Sequence, residues 1–431
     1  MKILSTRNPA DASALALLNR RYTPGLEVEQ AVASILAEVK IRGDAALVDF
    51  ALKFDRVDLT PETLLVGPAE MEAAGAEMEA AGAEVDPALA ASHANVLAFA
   101  KRGLRQDWQM TNAQGAEVGE IYQPFGRVGI YVPGGGAPLV STVLMTATLA
   151  QAACCEEIVV CTPCGKDGKL NPQMLAALKL CGATEIYRIG GAQAIAAMAY
   201  GTETIRPVDK IFGPGNKYVV EAKRQVFGTV AIDLLPGPSE IMVLCDDTAN
   251  PAYVAADLLA QAEHGHDGEI ILVSTSSEII AAVQQEIENQ LASLPREGII
   301  RETIGHRAWL VEAADLDDAI GICNRYAPEH LSLIVKDEAA AIVKIRNAGA
   351  IFIGNYSPVA TGDFVAGPSH TLPTGGAGKS FSGLTVDQFQ RRTSIVKFDR
   401  AALEKTAPLI ERFGEIEGLA AHSRTATIRL E

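Results

Sequence analysis

Histidine is scarce in this chain, seven residues in 431, so the places where it stands beside a carboxylate or an amide carry weight. Gln261-Ala262-Glu263-His264 is one such place, at the end of an apolar-periodic segment and just before Gly265. Residues three apart on a helix share a face, so Gln261 and His264 can converge on one point as metal donors. Glutamine is an uncommon ligand, and the same residues also suit a plain helix end. His266 follows as a loop residue. Glu329-His330 opens the apolar run Leu331-Ser332-Leu333-Ile334. A carboxylate and an imidazole at a strand edge supply two proton-transfer groups, or simply a polar strand end. Asp363 in Thr361-Gly362-Asp363-Phe364, His370 in Gly367-Pro368-Ser369-His370 and His422 in Glu417-Gly418-Leu419-Ala420-Ala421-His422 each read singly as turn or surface residues.

Four turns rich in Gly and Pro flank apolar runs: Pro133-Gly134-Gly135-Gly136, Gly190-Gly191-Ala192-Gln193, Gly213-Pro214-Gly215-Asn216 and Gly237-Pro238-Ser239-Glu240. Glycine after a strand lets backbone amides approach a ligand, and the start of a following helix favours an anion. Together they suggest ligand loops at strand carboxyl ends. None matches G-x-G-x-x-G, so a standard Rossmann site is not supported. Cys161-Thr162-Pro163-Cys164 is a lone pair and reads as packing, as do Cys245 and Cys323 inside apolar segments.

The elements that must position these residues follow from periodicity. From residue 128 onward, short apolar runs (128–132, 157–161, 185–189, 210–212) alternate with helical patterns (139–153, 172–181, 192–200). The pattern restarts with strands at 240–244, 269–274, 308–311, 331–335 and 350–354, and helices at 252–264, 278–294, 316–325 and 338–348. Such alternation predicts parallel sheets covered by helices. The expected organisation is an α/β chain with four parts: a mostly helical region 1–127, a first α/β domain 128–236, a second α/β domain 237–387 holding the His and acid residues, and a tail 388–431. The seam is placed at Leu234-Leu235-Pro236-Gly237-Pro238. Within the first part Met71 to Glu77 recurs unchanged as Met78 to Glu84, a two-turn duplication that lengthens a helix with little rotation of its face. The tail reads as largely helical, with a short strand possible at 423–430.

The formal charge of −16 and pI of about 5.0 argue against nucleic acid or an anionic membrane as partners. The first residues lack the features of a leader, no apolar run is long enough to span a bilayer, and the seven cysteines form no disulfide framework. A cytoplasmic protein acting on small molecules is expected.

Taken in order, Tyr131-Val132-Pro133-Gly134-Gly135, Gly190-Gly191-Ala192-Gln193-Ala194-Ile195-Ala196, Phe212-Gly213-Pro214-Gly215-Asn216, Gly237-Pro238-Ser239-Glu240, Gln261-Ala262-Glu263-His264-Gly265, Tyr326-Ala327-Pro328-Glu329-His330-Leu331 and Gly367-Pro368-Ser369-His370-Thr371-Leu372-Pro373-Thr374-Gly375-Gly376 resemble the histidinol dehydrogenase family across nearly the whole chain. The resemblance implies two incomplete Rossmann-like domains and a homodimer whose tails reach into the partner's active site. It implies one zinc per subunit on Gln261, His264, Asp363 and His422, with Glu329 and His330 as the acid/base pair. Ser239, His330 and Glu417, with the zinc ligands, would contact substrate, and His370 would stand on the substrate side. Tyr131, Gln193 and Asn216 match the family's NAD contacts. The reaction implied is the four-electron oxidation of L-histidinol through L-histidinal to L-histidine with two NAD, closing histidine biosynthesis.

Three other readings compete: a dehydrogenase on the same scaffold taking another polar alcohol, such as a sulfonated diol; an aldehyde-dehydrogenase-like enzyme with a cysteine nucleophile; and a non-catalytic zinc and nucleotide binder. The second requires an activated thiolate in a ligand loop, and none of the Gly-rich loops carries a cysteine.

Overall fold

The computed structural model describes residues 1–20, 25–72, 85–134, 138–265 and 268–431. The copies of the duplicated segment from residue 73 on, His266, and Gly135-Gly136 of the first glycine turn lie outside the described residues.

Two parallel sheets organise the chain. The first contains β4 (Arg127–Tyr131), β5 (Glu157–Cys161), β6 (Glu185–Tyr187), β7 (Lys210–Phe212) and β8 (Ala231–Ile232), in the order β6-β5-β4-β7-β8. The second contains β1 (Lys2–Ser5), β9 (Glu240–Cys245), β10 (Glu269–Ser274), β11 (Ala308–Glu312), β12 (His330–Ile334) and β13 (Ala350–Ile353), in the order β1-β11-β10-β9-β12-β13. In the first sheet the chain starts in the middle at β4, winds outward, then returns to the other side of that strand; the second repeats this from β9, with the N-terminal β1 added at its edge. That reversal, between β4 and β7 and again between β9 and β12, opens a crevice.

Strands covered on both faces read as unbroken apolar runs. In β9 every residue is buried: Ile241, Val243 and Cys245 pack toward helices Pro251–Ala262 and Ser277–Leu291, and Met242 and Leu244 toward helix Leu316–Tyr326. The first sheet is covered on one face by helices Val140–Ala152 and Pro172–Leu180. On the other, helix Gly191–Tyr200 is joined by the N-terminal helix Leu26–Arg42 through Val32, Leu36 and Val39.

Three departures from the sequence reading have physical causes. The region before residue 127 is not helical throughout: β1 forms an edge of the second sheet, with Ile3 half exposed. β2 (Trp108–Thr111) and β3 (Glu117–Pro124) form an antiparallel sheet with β14 (Gln390–Lys397). Their residues are largely exposed and polar, so neither leaves an apolar run to read. The segment 423–430 is not a strand. Helix Ala420–Thr427 occupies it, packed on helix Arg400–Glu417, with Ala426 its buried residue, so the apparent alternation lies on an exposed helix.

The short segment 233–239 joins β8 to β9 and sets the relation of the sheets. The chain leaves the carboxyl edge of the first and enters the amino edge of the second. Ligand loops at strand carboxyl ends are therefore found on the first sheet, whereas the Glu329-His330 pair stands at the amino end of β12.

Candidate active site

On the first sheet a cavity of about 950 Å³ opens beyond β4 and β7. Tyr131, Gly134, Gly190, Gln193 and Asn216 line it, joined by Phe54 and Asp55 from the N-terminal layer. Tyr131 ends β4. Its hydroxyl oxygen accepts the Gly191 N–H at 3.0 Å, which leaves its own hydrogen free to donate. Burial pushes its pKa up to about 12, so it stays a neutral donor. Asn216 caps helix Lys217–Val226: its Oδ1 accepts the N–H groups of Tyr218 and Val219 at 3.0 and 3.2 Å. The cap occupies the acceptor and leaves the amide N–H for a ligand. Gly213 sits at φ +108°, and a Cβ there would lie 2.1 Å from the Tyr131 carbonyl oxygen. Gly213→Ala therefore forces the turn open. We expect affinity for a ligand of this cavity to fall by at least about tenfold and Tm to drop, consistent with a strain of ~1–3 kcal/mol at such a position; thermal melting and titration with NAD, the cofactor that the resemblance implies, check both.

The second cluster forms around Glu240, an acid opening an otherwise apolar strand. His330 is in register beside Ile241, so Glu240 stands next to Glu329. The Glu240 N–H donates to Glu329 Oε2 at 2.8 Å, and His330 Nδ1 lies 3.1 Å from the Glu240 carbonyl oxygen. That carbonyl can only accept, so Nδ1 carries the proton and Nε2 holds a free lone pair. Nε2 is buried, has no hydrogen-bond partner among the described residues, and lies 3.7 Å from Asp363 Oδ1. The Glu240 carboxylate is itself fixed, accepting from Tyr326 Oη at 2.7 Å and Gly375 N–H at 2.8 Å and pairing with Arg20.

Burial, then the nearby His370 and His264, pulls the His330 pKa down to about 3. Burial, then Asp363, holds Glu329 well above the usual carboxylate range. Asp363 is pushed up to about 6 by burial. His370, pulled down to about 4 mainly by burial, donates through Nδ1 to the Asp363 carbonyl oxygen, 3.2 Å away. His264 keeps an open side toward solvent, yet desolvation lowers its affinity for protons. Perturbation on this scale, in groups gathered at one crevice, is the signature of a chemical site.

His264, His330, Asp363 and His370 thus come together, with Gln261 one helical turn before His264. Ser239 lies at the entry to β9. Glu417 and His422 do not join them: both are exposed on the C-terminal helices and make no hydrogen bond or ion pair with the cluster. Among the described residues no group of three or more His, Cys, Asp or Glu side chains stands close enough to hold a metal. The donor set fits a cation even so. The Gln261 side-chain amide is buried with no fixed partner for its Nε2, so its Oε1 is available as a ligand atom, the half-buried Asp363 carboxylate pairs with no Lys or Arg among the described residues, and desolvation favours the neutral imidazole of His264. Phe54 and Asp55 escaped the sequence reading, and Glu240 entered it only as part of a turn motif. Glu240 had a signal, as a lone acid before five apolar residues; Phe54 and Asp55 had none.

The sequence model of the histidinol dehydrogenase family matches residues 18–430. The chain belongs to the histidinol dehydrogenase family. The histidinol dehydrogenase of Syntrophotalea carbinolica is 45% identical over 100% of this chain and 99% of its own. That of Geobacillus kaustophilus is 45% identical over 96% and 97%. The crystal structure of histidinol dehydrogenase from Elizabethkingia anophelis superposes with a TM-score of 0.92 at 36% identity, covering 100% of this chain and 98% of that one. As a member of the histidinol dehydrogenase family the chain is an NAD-dependent oxidoreductase of histidine biosynthesis. Six of its seven cysteines do not suit a thiolate mechanism. Burial pushes Cys155, Cys161, Cys181, Cys245 and Cys323 up to about 12 and Cys164 to about 11. No helix among the described residues is long and apolar enough to cross a membrane.

Proposed function

We propose that the enzyme oxidises L-histidinol to L-histidine through the bound aldehyde, in the cytoplasm, using two NAD in succession and one zinc per subunit. The observation that carries this is the buried, unpartnered Nε2 of His330, held as a lone-pair acceptor by the Glu240 carbonyl.

In the first half-reaction Nε2 takes the hydroxyl proton while the carbinol carbon gives up a hydride; the C–H and O–H bonds break and a C=O bond forms. NAD supplies the hydride acceptor from the cavity lined by Tyr131, Gln193 and Asn216. In the second, Glu329 takes a proton from water as its oxygen bonds the aldehyde carbon. His330, having released its first proton to solvent, takes the proton of the resulting hydrate hydroxyl as a second hydride passes to the second NAD, giving the carboxylate. Ser239 and His370 would border the substrate. Gln261, His264 and Asp363 would hold zinc, which supplies a Lewis acid to bind the substrate's nitrogens and orient the reacting carbon.

The fourth ligand and the closing acid come from a second copy of the chain. Glu417 and His422 lie on an exposed helical arm. The same arm presents Leu409, Phe413, Ile416 and Leu419, 50, 64, 64 and 41% exposed, uncovered among the described residues. An apolar stripe of this kind marks an interface. A homodimer with exchanged arms covers the stripe and brings His422 and Glu417 to the partner's Glu329-His330 cluster.

NADH formation by purified protein tests the reading. About two NADH should appear per L-histidinol, with activity lost to a zinc chelator and restored by zinc. No turnover by metal-replete protein would move the substrate to another polar alcohol, and activity indifferent to chelation would remove the metal from the reaction.

A further inference from the structure

Lys223 lies on helix Lys217–Val226 and Asp233 just beyond β8, and both side chains are without solvent exposure. A buried ion pair is a poor way to stabilise a fold, because desolvating two charges can cancel their attraction. Its partners show a more specific use. Lys223 Nζ pairs with Asp233 Oδ1 and donates to the Gly213 carbonyl oxygen at 2.8 Å. Asp233 Oδ2 accepts the Gly213 N–H at 2.8 Å, and Oδ1 accepts the Leu234 N–H at 2.6 Å. Gly213 is thus clamped at both peptide groups, the N–H by the carboxylate and the C=O by the ammonium. This is the residue pressed against the Tyr131 carbonyl, and the turn it opens ends in Asn216. Leu234, held by the same carboxylate, begins the segment that delivers Ser239 and Glu240 to the second sheet.

We propose that Lys223 and Asp233 are positioning residues for the cofactor. The pair fixes the Gly213-Pro214-Gly215-Asn216 turn so that Asn216 and Tyr131 meet one dinucleotide. The proposal rests on NAD occupying the cavity beside Tyr131 and Asn216.

Removing one partner would strand a buried charge, so the test removes both: Lys223→Met with Asp233→Asn. Metal-replete protein is titrated separately with NAD and with L-histidinol. The NAD dissociation constant should rise by about tenfold or more, while that of L-histidinol stays within about twofold, because only the cofactor turn is misplaced. Lys223→Gln with Asp233→Asn, which keeps donor and acceptor without charge, should recover part of the NAD affinity. Unchanged NAD binding in the Met/Asn protein overturns the proposal. So does parallel weakening of both ligands with a lowered Tm, the mark of a purely structural pair. Asn216→Ala separates the two failures. If it leaves NAD affinity untouched, the cofactor is not in this cavity; if it weakens NAD while the ion-pair variants do not, the positioning role alone falls.

Discussion

Replacing His330 with Asn lowers turnover of L-histidinol by at least about 100-fold, in line with loss of a general base, while bound zinc stays near its original level. The asparagine amide can still donate to the Glu240 carbonyl from about the place of Nδ1, so the local strand geometry is kept. What disappears is the lone pair at Nε2, which is buried and otherwise unpartnered. Gln261, His264 and Asp363 are untouched, so metal analysis of the purified variant separates loss of base from loss of zinc. Steady-state NADH formation reads the rate. A variant with turnover within about threefold of the parent would remove His330 from the proton-transfer role.

His422→Ala abolishes activity in a homogeneous preparation, and so does His330→Asn, yet a mixture of the two chains recovers it. In a dimer with exchanged arms, one site of a mixed pair receives both substitutions and the other receives neither. Random pairing makes about half of all dimers mixed, so about a quarter of the parental activity returns. Differently tagged chains, co-expressed and purified through both tags, raise this to about half. No recovery in doubly tagged dimers would place His422 in the site of its own subunit, which requires the helical arm to fold back. The exposure of Glu417 and His422, and of the apolar stripe between Leu409 and Leu419, argues against that geometry.

The parts of the fold legible in the sequence are those buried on both faces. β5, β7 and β10 were bounded correctly at both ends, because each is a short apolar run closed by polar or Gly/Pro residues. Pattern fails where one face is wet. Glu117–Pro124 pairs with Gln390–Lys397 across more than half the chain, and no local signal records so distant a partner. In the site, residue type pointed to Glu329 and His330 and more weakly to His264, whereas Asp363 read singly as a turn residue and entered only through the family resemblance. Glu240 was legible only as part of a motif. Its function lies in its peptide groups, which hold Glu329 and His330, and main-chain roles leave no mark on residue type. Phe54 and Asp55 reach the cavity from a separate layer, a juxtaposition created only by tertiary packing.

The facing of a carboxyl edge by an amino edge also polarises the space between the sheets. Helices of parallel sheets run opposite to their strands, so those of the first sheet bring their amino ends to the crevice, at Gly191 and Lys217. Those of the second bring their carboxyl ends: Pro251–Ala262 finishes beside Gln261 and His264, and Leu316–Tyr326 finishes beside Glu329. Each helix behaves as about half a positive charge at its start and half a negative charge at its finish, worth up to ~2 kcal/mol per ion in partly buried settings. One wall of the crevice therefore favours a pyrophosphate and the other favours metal ions and ammonium groups. In the proposed reaction an electroneutral main chain sorts an anionic cofactor from a cationic substrate before any charged side chain takes part.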